Sequence, residues 1–161
     1  MFLSNCGLLF SKCFLLLGRQ MVTFEEAEIE ALVGAFYARV RKDPELAPIF
    51  ASKIKTADWP RHEAHIADFW SSVLRKTGRY SGNPMAKHAG VAGLTPELFT
   101  RWLDLFYDTA KRVLSERQSA MIDKTAQRIA QSLQMGLAFH YDGQGEDDHP
   151  FKAYGLRREG R

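Results

Sequence analysis

Cysteine is nearly missing from this chain: Cys6 and Cys13 are the only two, and everything after Cys13 has none. The body therefore has neither a disulfide framework nor a Cys-rich zinc site, and a reducing compartment, the cytoplasm, is the natural inference. Strong charge of one sign is lacking too. The formal net charge is +3 with the basic residues spread out, which leaves no electrostatic footprint for nucleic acid. The longest apolar run, Leu8 to Leu17, is broken by Lys12 and is too short to span a bilayer. No Lys or Arg precedes Lys12 and no A-x-A pattern follows, so a secretory signal fits poorly. Residues 1–21 read as a dispensable leader, with Met21 as an alternative start and a weak membrane anchor or targeting role as the competing reading. No alternating strand pattern and no internal repeat occurs.

What is present is helical periodicity and aromatic mass. With 161 residues and 45% hydrophobic content the chain can bury one core, expected over 22–142. Thr23 and Glu26 form a capping box ahead of a stripe through Ile29, Leu32, Val33, Phe36, Tyr37 and Val40. Asp43-Pro44 ends that helix and opens a short one through Pro48 to Phe50. A helix over Trp59 to Arg75 puts Trp59, Ile66, Phe69, Trp70, Val73 and Leu74 on one face, with His62 inside the stripe and His65 at its wet edge. Thr95-Pro96-Glu97 starts another helix bearing Trp102, and Ser115 with Gln118 caps a last one that Asp142-Gly143 stops. Residues 143–161 have turn formers, mixed charge and no periodicity, and are expected to be disordered. The fold class is all-α.

Gly78, Gly82, Pro84, Gly90 and Gly93 break up the stretch around His88 and leave it one short helical turn. A stiffly bracketed turn can present a single imidazole, which suits a haem iron held from one side. No C-x-x-C-H sequence is available for thioether links, so the haem would be haem b. Taken singly, His88 reads first as a solvated loop histidine, His62 as a core histidine with one hydrogen bond and Tyr37 as a tyrosine bonded to a nearby carbonyl, each ahead of a ligand role. Two other readings remain: a helical interaction module without cofactor, and a non-haem metal protein using His62, His65 and His88.

The strings FYARVRKDPELAPIF (36–50), HIADFWSSVL (65–74), GRYSGNPMAKH (78–88) and LFTRWLDLF (98–106) resemble the group III truncated haemoglobins. The resemblance spans about residues 24–140. It implies a two-over-two helical sandwich around haem b, with His88 as the proximal iron ligand. It further implies Tyr37, His62 and Trp102 on the distal side, and Phe36 and the Phe69/Trp70 pair in the haem-packing wall. No Gly-Gly occurs, as in that group. Arg79, Tyr80 and Lys87 lie near the proximal segment and are candidates for the haem propionates. The implied partners are dioxygen or another diatomic ligand and, for redox chemistry, an unidentified reductase. Tyr37 hydroxyl and Trp102 indole N–H are donors to a partly anionic ligand, and His62 donates or accepts according to tautomer. A donor-rich dry pocket favours retention of oxygen, and nitric oxide dioxygenase or peroxidase-like chemistry, over ready release.

Overall fold

The computed structural model describes residues 21–146 and 148–154. Six helices follow one another: α1 (Glu26–Val40), α2 (Leu46–Ala51), α3 (Trp59–Arg75), α4 (Pro84–Ala89), α5 (Pro96–Val113) and α6 (Glu116–Gly143). Single 3-10 turns stand at Thr56–Asp58 and Lys152–Tyr154, and no strand occurs among the described residues. α1 packs on both α3 and α5, α5 pairs with α6, and α4 lies on α6. The apolar stripes dictate this, since every residue of the α1 stripe named above is buried.

The larger core runs between α1, α3 and α5. At its centre Trp102, Phe106 and Trp70 form a ladder, with ring centroids 4.8 and 5.2 Å apart and planes 13° apart at both steps. Phe36 meets Phe106 edge-on at 5.2 Å, and each such aromatic pair adds about 0.5–1.5 kcal/mol beyond its burial. A smaller core joins Phe99, Ala130, Leu137 and Phe151, flanked by Met85 and Ala89 of α4.

Buried polar groups fix how the helices meet. Asp43 accepts from Arg101 Nη2 at 2.6 Å and Nε at 2.9 Å, and its other oxygen caps the backbone N–H groups of Glu45 and Leu46. Burial alone would raise the Asp43 carboxyl. The Arg101 bonds and charge together with the two N–H groups outweigh it and hold the carboxyl below the usual range.

Two expectations are corrected. The Thr23–Glu26 box does not form: α1 starts at Glu26, and the Glu28 carboxylate accepts from the Glu25 N–H at 2.8 Å. Thr23 is drawn away because its carbonyl accepts from Gln118 Nε2 of α6 at 2.9 Å, beside a buried Phe24. The other correction concerns 143–161, expected to be disordered. Gly145, at φ +78°, reverses the chain, and 148–154 fold back so that Phe151 is 0% exposed against Phe99 and Tyr141. One aromatic anchor in a polar segment leaves no periodicity to read. The leader assigned to 1–21 lies outside the described residues except for Met21, as does the tail from 155 onward.

Candidate functional site

Four elements bring aromatic and histidine side chains together at one end of the larger core. α1 supplies Tyr37, α2 supplies Phe50, and α3 supplies Trp59 and His62. The Tyr37 ring lies 4.8 Å from His62, 5.6 Å from Trp59 and 5.7 Å from Phe50. His62 stands perpendicular to Trp59 at 5.6 Å. Trp102 of α5 enters from the other side through Phe36, whose ring is 5.0 Å from both Trp102 and Tyr37. Tyr37 thus touches His62 directly and reaches Trp102 through Phe36. His65, expected at the wet edge, is exposed and rests on Tyr80 at 4.7 Å.

His62 Nε2 is buried and has no hydrogen-bond partner. Burial, with a smaller contribution from the charge of His65, pushes the imidazole down to about 4, so it is neutral near pH 7. Burial, assisted by the negative charge of Glu63, pushes the Tyr37 hydroxyl far above its usual value and keeps it a donor. Glu63 faces Arg41 at 3.5 Å, and that guanidinium lies over the Trp59 ring at 5.0 Å. Phe50, Trp59, Arg41 and Glu63 were not singled out as site residues by sequence. Trp59 was legible on the α3 stripe, but its approach to Tyr37 depends on tertiary packing.

α4 builds the second part. Asn83 Oδ1 accepts from Ala86 N–H at 3.0 Å, and Pro84 takes the first helical position, where a missing N–H costs nothing. One turn on, His88 Nδ1 lies 2.7 Å from the Pro84 carbonyl oxygen. A carbonyl only accepts, so Nδ1 carries the proton and Nε2 keeps a free lone pair. The opposing ring is Phe99, stacked on His88 at 5.9 Å and 26°. α4 lies close on α6 because Gly136 has no side chain; a Cβ there would stand 2.6 Å from Met85 Sδ.

The remaining candidates divide. Phe36 is buried between the two tryptophan-bearing helices, and Trp70 belongs to the core ladder. Phe69 is half-buried and meets Tyr80 edge-on at 5.2 Å. Arg79 is engaged by Glu26 of α1 at 3.3 Å, in a network that also holds Arg75. Lys87 is exposed on α4.

These residues fit a haem. α5 carries Phe99, against His88, one turn before Trp102, so the imidazole and the donor cluster flank one helix. Ile66, Phe69, Leu98 and Trp102 pack on the larger core yet are only half-buried, apolar surface that a flat ligand would cover. His62 Nε2 has no partner among the described residues, and a bound ligand would satisfy it. Among the described residues no three His, Cys, Asp or Glu side chains converge, so a non-haem metal would have no protein cage.

The family model for bacterial-like globins matches residues 23–135. The chain is 37% identical over 123 residues to a group 3 truncated haemoglobin of Campylobacter jejuni, covering 75% of this chain and 96% of that one. The crystal structure of group III truncated haemoglobin from Campylobacter jejuni superposes with a TM-score of 0.69 at 36% identity, over 73% of this chain and 94% of the other. The chain therefore belongs to the bacterial-like globins, a family that binds ligands through haem, and within it to the group III truncated haemoglobins.

Proposed function

We propose that this protein holds haem b through His88 and retains dioxygen or another diatomic ligand beside Tyr37, His62 and Trp102, with nitric oxide or peroxide redox chemistry as its use. The observation that carries the proposal is the half-buried, neutral His62 ring with a buried, unpartnered Nε2, set against a Tyr37 ring whose hydroxyl burial keeps protonated. Haem b is preferred because the sequence has no C-x-x-C-H attachment site. When bound, haem supplies the iron that holds a diatomic ligand and places negative charge on its outer atom.

The protein contributes everything else. His88 Nε2 is the proximal donor, its tautomer fixed by the Pro84 carbonyl. Tyr37 O–H and Trp102 Nε1–H are donors toward the outer atom of the ligand, and neutral His62 donates or accepts there as its tautomer allows. Phe36, Phe50 and Trp59 keep water away, which strengthens those bonds. Phe69 and Tyr80 form the lateral wall; Arg79, already paired with Glu26, is the weaker propionate candidate. A donor-rich pocket of this kind suits a redox enzyme supplied by a reductase in the cytoplasm better than an oxygen carrier.

Trp102→Phe separates the donor from the packing. An aromatic ring is kept, though a smaller one, and the N–H is lost; a hydrogen bond to a charged group is worth about 1.5–3 kcal/mol, so dioxygen should leave roughly tenfold to a hundredfold faster. Tyr37→Phe should act in the same direction without adding fully, because both donors address one ligand. Carbon monoxide carries less charge and should respond less. Stopped-flow measurement on the haem-loaded protein decides: equal acceleration of both gases means only an opened pocket, and a protein without a Soret band after haem reconstitution ends the proposal.

A further inference from the structure

We propose that Phe151, in the segment after α6, is a positioning residue that sets the orientation of His88 through Phe99. The inference rests on His88 being the haem ligand, as proposed above. The segment 148–154 lies beyond the span matched by the family model, 23–135, so nothing in the family pattern assigns it a part.

The His88 ring is held at two places: at Nδ1 by the Pro84 carbonyl at 2.7 Å, and on its face by Phe99, stacked at 5.9 Å. Neither restraint is rigid alone. One hydrogen bond leaves the ring free to rock about it, and a stacked neighbour restrains that rocking only if it cannot itself retreat. Phe99 meets Phe151, edge-on at 5.9 Å and 85°, a ring with no exposed surface that limits how far Phe99 can shift. Phe151 in turn lies parallel to Tyr141 of α6, centroids 6.3 Å apart and planes 1° apart. Tyr141, Phe151, Phe99 and His88 thus form a continuous row of rings from the end of α6 to the proximal imidazole.

The segment is latched in this position by His149, which is 6% exposed and stacks on Tyr141 at 5.4 Å. Phe151 N–H donates to His149 Nδ1 at 3.2 Å. That nitrogen is an acceptor, so the ring proton sits on Nε2, which donates to Asp142 Oδ1 at 3.0 Å. Both ring nitrogens are used, and the backbone of Phe151 is tied to the last turn of α6. Asp142 itself is 47% exposed, so the latch can be cut from outside without opening the core.

A segment that merely covers apolar surface would change stability alone. A segment that fixes the plane of His88 must also change the bond that His88 Nε2 makes, since ligand orientation tunes the metal. The test uses the full chain loaded with haem and reduced, comparing wild type with Phe151→Ala, Phe151→Leu and Asp142→Ala. Resonance Raman reads the iron–histidine stretching band, and transfer of haem to an apo-globin acceptor reads its retention. Expected are a shifted and broadened band and about tenfold faster haem loss in Phe151→Ala, on the scale that a large-to-small core change allows. Phe151→Leu, which refills most of the volume, should restore the band toward wild type. Asp142→Ala should move it in the same direction as Phe151→Ala, and keeps the test open if the alanine variant fails to fold. Unmoved bands in variants that have lost thermal stability overturn the inference and leave the haem assignment standing. A wild-type protein without the band, or a band that survives His88→Ala, overturns the proximal assignment itself.

Discussion

His62 and Asp43 are both shielded titratable side chains, yet acid should reach them in separate windows. Folding lowers the His62 value from 6.5 to about 4, because burial and then the charge of His65 oppose its protonation. As pH falls below 6.5 the unfolded chain takes up that proton first, so stability declines until about pH 4 and His62 contributes no further slope below it. Asp43 lies below its ordinary 3.8, so its contribution is complete above that value and is lost only as pH falls through the lower folded one. Melting temperature of the haem-free protein against pH should therefore lose part of its slope between pH 6.5 and 4 in His62→Leu, and only below about pH 4 in Asp43→Asn. An unchanged slope in His62→Leu would mean that the imidazole is wet. The inward direction of His62 was legible from the stripe it shares with Ile66 and Phe69. Its missing partner was not, because the rings of Tyr37 and Phe50 that enclose it come from other helices.

α4 shows what a short element needs from its surroundings. It has six residues, none of them buried, while isolated helices below about 12–15 residues are marginal in water. The Asn83 cap, Pro84 at the first position and Met85 over Gly136 hold it on α6. Fixing His88 Nε2 to haem would add the strongest tether. The amides of α4 should accordingly exchange with deuterium quickly in haem-free protein and much more slowly in the loaded form, while those of α5 change little. Equal protection in both forms would show that α6 alone keeps the proximal turn in place. The bounds of α3, the Pro84 and Pro96 starts and the Ser115–Gln118 box were all readable locally, since caps and prolines act within a turn. The start of α1 was not, because Gln118 claims the Thr23 carbonyl from another helix.

At the scale of the molecule, periodicity supplied the helices and the resemblance supplied their assembly, whereas the return of the chain after α6 rested on neither. Phe151 stands alone among turn formers and charges, and only the smaller core reveals what it covers. A fully buried aromatic side chain contributes about 1.5–3 kcal/mol relative to an exposed one. A chain ending at Gly143 would lose that burial and would also leave Phe99 and Tyr141 open to water. For a domain of this size the loss corresponds to a fall in Tm on the order of 10 °C. Phe151→Ala in the full chain should reproduce most of that fall, because the burial resides in one ring, while Lys152→Ala, at an exposed neighbour, should cost almost nothing. Calorimetry on these three proteins and the parent separates the alternatives. A shortened chain as stable as the parent would show that the segment does not dock in solution. A shortened chain that melts well below Phe151→Ala would shift the contribution from the ring to the His149–Asp142 latch, whose removal by Asp142→Ala should then account for the difference.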